Sequence, residues 1–277
     1  MADYERIYEA DGISIDEWRC RGRAGGEKAR EVNPEHTFAF PLQGAFRKHL
    51  GGREGVATPG TVLFFRRGEE YRTTHPIEGG DHGLALRVDG ELLRRILDEL
   101  GRDDPEPTAE TAIAPATALR LRELLLASRG SPPPPELEEM ALGLIGELLE
   151  RGADAEGQGG GERTVRRHRR AVSRVLELCA ARFREPLTLE EIAGETDYSP
   201  FYLSRVFKRA TGVTIFRHVN RLRLIAALDR AGSIGELSQL ALGLGYSSHS
   251  HFTAAFRREL GAPPSKVFTS LLARRRN

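Results

Sequence analysis

The constraint on this chain is a pattern written twice between Leu187 and Phe268. The first copy reads Leu189-Glu-Glu-Ile192-Ala193, Tyr198-Ser199, Leu203-Ser-Arg205-Val-Phe207-Lys208 and Gly212. The second reads Leu237-Ser-Gln-Leu240-Ala241, Gly245-Tyr246, Phe252-Thr-Ala-Ala-Phe256-Arg257 and Gly261. Ala193 and Tyr198 recur 48 residues on, Phe207 and Gly212 recur 49 on, so the second copy holds one extra residue after its tyrosine. Each copy predicts a helix, a short turn and a second helix. Thr188 followed by Glu191 has the spacing of a capping box. Pro200 suits a first helical turn, and Gly212 a helix end. Two short helices at a steep angle form a helix-turn-helix, whose second helix can enter the major groove of DNA.

Charge divides the chain in the same place. Residues 163–277 carry 21 Lys and Arg against 9 Asp and Glu, leaving 20 against 31 in 1–162, although the whole chain is near neutral at +1. A basic C-terminal part fits a polyanion partner, and an acidic N-terminal part does not. Cys20 and Cys179 are too few and too distant for a disulfide framework or a cysteine zinc site, and fit a reducing cytoplasm. No secretion signal and no membrane-length apolar run are expected.

The paired motif resembles the AraC/XylS family of bacterial transcription regulators. Ile192-Ala193, Ser199, Leu203, Arg205, Phe207-Lys208, Gly212, Asn220-Arg221-Leu222-Arg223, Ala227, Ala241, Gly245-Tyr246, Phe252, Phe256-Arg257, Gly261 and Pro264-Ser265 carry the likeness. The resemblance implies base readers at Phe201, Ser204 and Arg205, since arginine can bond guanine O6 and N7 and an aromatic can press on a thymine methyl. Lys208 suits a phosphate. In the second unit Ser248, His249, Ser250 and Thr253 are the expected readers, and Arg257 the phosphate contact. Three positions depart from the family pattern: Ala254 where an arginine is usual, His218 for tyrosine, and Phe268 for arginine. The first unit is therefore expected to dominate specificity. The helix expected over 214–231 joins the two units and sets the spacing of their recognition helices.

Residues 5–88 alternate short strand-like runs (13–20, 36–40, 44–50, 55–57, 61–65, 70–74, 82–88) with Gly and Pro turns, the mark of a sandwich or barrel. Thr58 to Phe65 resembles the cupin-like sensor that precedes the DNA-binding part in many family members. Such a barrel can enclose a ligand, with Phe38, Phe40, Phe46, His49, Phe64, Tyr71 and His75 as expected liners. His36, His49, His75 and His82 are scattered without a His-x-His pair, so no metal, cofactor or catalytic residue is expected.

Helical leucine stripes follow over 89–100, 115–128 and 136–150, expected both to pack onto the barrel and, through the faces of 116–126 and 137–149, to pair two subunits. The glycine-rich 152–162 reads as a flexible linker, about 20 Å end to end, tethering the parts loosely. The expected fold is α+β in two domains: a cupin-like β-barrel with helices for sensing and dimerisation over 1–151, and an all-α double helix-turn-helix over 163–277. The expected function is a cytoplasmic, sequence-specific transcription regulator that binds double-stranded DNA and a small-molecule effector as a homodimer, with RNA polymerase a candidate partner. The rivals are a constitutive regulator whose barrel only dimerises and a cupin enzyme fused to a DNA-binding domain.

Overall fold

A computed structural model describes residues 3–22, 30–51, 53–102, 111–130, 132–153, 162–230 and 237–276. The N-terminal part consists of β1 (Asp3–Ala10), β2 (Ile13–Cys20), β3 (Glu31–Val32), β4 (His36–Gly44), β5 (Phe46–Leu50), β6 (Arg53–Ala57), β7 (Thr61–Phe65), β8 (Glu70–Thr74), β9 (Asp81–Val88), α1 (Gly90–Glu99), β10 (Thr111–Ala112), α2 (Pro115–Ser128) and α3 (Leu137–Ala153). The C-terminal part is helical: α4 (Glu162–Arg182), α5 (Leu189–Gly194), α6 (Pro200–Thr211), α7 (Ile215–Asp229), α8 (Leu237–Gly243), α9 (His249–Leu260) and α10 (Pro264–Arg276). The expected strands and helices thus form within a few residues of their predicted bounds. Much of the expected linker, 154–161, lies outside the described residues.

The N-terminal part has the expected sheet-rich, cupin-like architecture, without closure into a barrel among the described strands. The described strands make two sheets, ordered β1-β2-β9-β4-β7-β10 and β3-β8-β5-β6. β10 takes the edge of β7, pairing Thr111 with Val62, so β6 and β7 do not zip the sheets closed. The larger sheet is buried on both faces. One face turns Ile13, Ile15, Phe38, Phe40, Phe64, Leu84 and Leu86 toward α1 and α2. The other turns Trp18, Ala39, Phe65 and Ala85 toward Phe46 on the smaller sheet. Alternation of side chains along a strand produces both sets.

Among the described residues, the two parts share one apolar core. The apolar cluster beneath the larger sheet runs through Leu121, Leu124 and Leu125 of α2 and Leu144, Ile145 and Leu148 of α3. It continues into Leu224 and Leu228 of α7 and Phe252 and Phe256 of α9. The leucine stripes expected to join two subunits are therefore covered within this chain. A second cluster seats Val56 of β6 against Val172, Val175 and Leu176 of α4.

Ion pairs cross the same boundary. Buried Arg122 on α2 bonds the Asp229 carboxylate at the end of α7 and, at 3.3 Å, the Ile225 carbonyl. Arg47 on β5 makes a two-pronged contact with buried Glu177 of α4, at 2.5 and 2.7 Å. Removing one partner of a buried pair strands the other charge. Asp229→Ala is expected to cost about 3 kcal/mol and to appear in a single calorimetric transition for the full chain. Two separate wild-type transitions would show that the parts unfold independently.

Candidate functional site

The two helix-turn-helix units share their end chemistry. Thr188 and Glu191 complete the predicted capping box of α5. Ser199 caps α6 by accepting from the Tyr202 N–H, and Ser248 caps α9 by accepting from the His251 N–H. Gly212 (φ 75°) and Gly261 (φ 73°) end both helices in the left-handed region, each donating its N–H four residues back. A side chain at that φ would be strained, which explains the repeated glycine. The caps also locate the extra residue: Tyr198 adjoins its cap, whereas Ser247 intervenes between Tyr246 and Ser248.

These caps put the units in register. Phe201 corresponds to Ser250, Tyr202 to His251, Ser204 to Thr253, Arg205 to Ala254 and Lys208 to Arg257. Tyr198 against Tyr202 (5.1 Å between rings) has its counterpart in Tyr246 against His251 (5.4 Å). On α6 the apolar side, Leu203, Val206 and Phe207, is buried. The opposite side presents Phe201 at 72% exposure, with Arg205 and Lys208 also exposed and Ser204 partly so. The Arg205 guanidinium lies 5.9 Å from the Phe201 ring centre. α9 presents His249, Ser250 and Arg257, with Thr253 half-buried and 3.4 Å from His249 Nε2. The Ser248 hydroxyl is engaged as the helix cap.

α7 holds both units. Arg223 donates to the carbonyls of Phe183 (2.7 Å), Gly245 (2.8 Å) and Glu185 (3.0 Å). Arg217 and Arg221 meet Glu259 of α9 at 2.9 and 3.2 Å. Burial opposes the Glu259 carboxylate, yet these two guanidiniums hold its pKa below the ordinary glutamate value. Arg166, Arg167, Arg170 and Arg174 of α4 line a cleft beside Tyr198, where Arg167 lies 4.8 Å from the tyrosine ring. This arginine-lined cleft is contiguous with the first unit.

The sensor holds a cavity of 340 Å³ between its sheets, at the lower end of small-molecule sites. Trp18, Phe46, Phe65 and Tyr71 supply aromatic walls, and Asn33, Thr37, Thr73, Asp81 and Arg87 supply polar groups. Of the expected liners, Phe46 and Tyr71 are present. Phe38, Phe40 and Phe64 point to the helix side of the sheet. His49 Nε2 is engaged with Thr74 at 2.8 Å, and His75 lies beside Asp81 at the end of β8. Both faces of the larger sheet are apolar, so a run such as His36 to Phe40 does not declare which alternate set lines the cavity. Tyr71 donates to Glu31 at 3.0 Å, and burial raises its pKa well above that of free tyrosine.

The comparisons agree with this division. Residues 21–164 match the AraC-like ligand binding domain, and 192–270 match a helix-turn-helix domain. The chain belongs to the AraC family of transcription regulators. Its C-terminal part is the DNA-binding element and its N-terminal part the ligand-binding domain. Regulatory protein SoxS of Salmonella typhimurium is 29% identical over 99 residues, covering 35% of this chain and 92% of that protein. The HTH-type transcriptional activator RhaS of Escherichia fergusonii is 35% identical over 86 residues, 31% of each chain. Apo ToxT K231A from Vibrio cholerae aligns over 95% of this chain and 98% of that one, with a TM-score of 0.43 and 11% identity. Among the described residues no helix is long and apolar enough to cross a membrane.

His218, in the family's tyrosine position, is fully enclosed beside Phe207. Burial, aided by Arg221, lowers its pKa from 6.5 to about 4. Above pH 6.5 it is neutral folded or unfolded. Between 6.5 and 4 the unfolded chain takes up a proton that the folded regulator excludes. The His218 contribution to stability should therefore fall by about 3 kcal/mol across that window and then level off. His218→Phe should remove this share of the slope in urea titrations; an unchanged slope would show that His218 is not the group responsible.

Proposed function

We propose that this regulator reads its operator mainly through α6, with Phe201, Ser204 and Arg205 toward base edges and Lys208 on phosphate. α9 serves chiefly as a phosphate clamp through Arg257. The observation carrying this reading is the exposed Phe201–Arg205 pair on a capped second helix, opposed at the matching positions by Ser250 and Ala254. An aromatic left in water beside a guanidinium suits a surface that will be covered by DNA. Base contacts specify, while phosphate contacts position. His249, Ser250 and Thr253 add secondary contacts.

The cavity is the proposed effector site. Its convergent polar groups favour an effector-responsive regulator over one whose sensor only dimerises. The ligand expected is a small organic molecule with an apolar body and a polar end facing Arg87, working in the cytoplasm. Signal passes through the shared core: α2 leans on α7, α9 and α10, and Arg47 ties the smaller sheet to α4. An effector changes DNA affinity only by its different affinity for the two domain arrangements. Pairing on DNA as a homodimer, with RNA polymerase contacted when regulation is positive, completes the reading. Its dimer surface lies outside the leucine stripes covered here.

Selection from random duplex DNA with the full chain, at two salt concentrations, tests the reading. One strong block, or two blocks of unequal information about a helical turn apart, is expected. Arg205→Ala should cost about 1–3 kcal/mol at the preferred site and relax its sequence. Lys208→Ala should weaken all sequences alike and flatten the salt dependence. Unaltered selectivity in Arg205→Ala would remove it as a reader. Ala39→Phe, which fills the cavity, should abolish any effector-linked shift in operator affinity while leaving effector-free binding intact.

A further inference from the structure

Cys20, His75 and Asp81 meet at the end of the cavity, and neither a repeat nor a spacing motif announces them. Cys20 ends β2, His75 follows β8 and Asp81 opens β9, so three strand ends from both sheets converge. Cys20 and Asp81 are register partners across β2 and β9. All three side chains are buried, at 5%, 2% and 7% exposure. One potential ligand atom from each lies within 4.8 Å of the others.

His75 Nε2 and Asp81 Oδ2 face each other at 2.5 Å as a buried pair, out of line for a hydrogen bond and shut off from solvent. The cluster thus holds an imidazole nitrogen and a carboxylate oxygen aimed at one point beside the Cys20 thiol. The other carboxylate oxygen is already fixed, accepting from the Trp18 indole N–H at 2.5 Å. That is how an outer residue orients a ligand carboxylate. The backbone leaves room for the ring, since a Cβ on Gly22 would lie 2.2 Å from His75 Nδ1.

We propose that Cys20, His75 and Asp81 bind one zinc ion. A thiolate, an imidazole and a carboxylate are zinc's usual donors, and the two anions offset its double charge. On loading, His75 and Asp81 part to about 3.3 Å, as tetrahedral bonds of about 2.0–2.1 Å require. Water or an effector group from the cavity, which Asp81 also lines, fills the fourth position. The ion joins β8 of the smaller sheet to β2 and β9 of the larger, at the wall of the proposed effector site. The assignment stands whether or not that cavity takes an effector.

The test uses the full chain without a histidine tag. Metal content is measured after purification, then the protein is stripped with a chelator and titrated with Zn(II) and with Co(II). About one Zn(II) per chain is expected. Trp18 is the sole tryptophan and bonds a ligand, so its emission should change on Zn(II) addition. Co(II) should give a thiolate charge-transfer band that Cys179→Ala keeps and Cys20→Ser loses. His75→Gln and Asp81→Asn should each weaken Zn(II) at least 100-fold, beyond the tenfold to 100-fold typical of outer-shell changes. Failure of the stripped wild-type chain to bind Zn(II), or a cobalt band that survives Cys20→Ser, would overturn the site; the wild-type titration decides even if a variant misfolds.

Discussion

The arrangement depends on α2. This helix carries the buried Arg122, whose charge is met by Asp229 at the end of the connector helix. A guanidinium at that depth would be prohibitively unfavourable without a carboxylate and a carbonyl converging on it. Once the pair is in place, the leucines of α2 complete a core that begins under the sheet and ends among the phenylalanines of α9. The sensor and the DNA-binding part are thereby joined through packing.

Much of the C-terminal part was legible, because its signals are local. The cap at Thr188, the terminal glycines and the 3.6-residue apolar spacing each act within a few residues, whereas the caps at Ser199 and Ser248 were not read, with a DNA contact expected of Ser248 instead. Apart from β1, β3 and β10, which were not read, the strands of the sensor were legible for the same local reason. Their facing was not. Phe38 and Ala39 are both buried, and only the helices packed on one side decide that phenylalanine serves the core and alanine the cavity. Arg122 and Asp229 were unreadable as a pair, since 107 residues separate them. The Cys20, His75 and Asp81 cluster escaped because a histidine count seeks ligands near one another in sequence, whereas strand pairing across β2 and β9 supplies the proximity here. The useful signal was a lone cysteine at a strand end, in register with an aspartate.

The two helix-turn-helix units share a frame but not a surface. Capping, the tyrosine contact and the buried phenylalanines are duplicated, which keeps both second helices folded alike. The exposed positions have diverged: aromatic and guanidinium in one, hydroxyl and methyl in the other. α2 presses on α7, α9 and α10, while β5 and β6 meet α4. Phe201, Arg205 and Lys208 of α6 remain exposed. On the proposed reading, the sensor therefore need not compete with DNA for the specific contacts. By moving the second unit relative to the first, it alters how many phosphates are neutralised together. Such a change scales affinity for all sites and leaves the base preference of α6 intact.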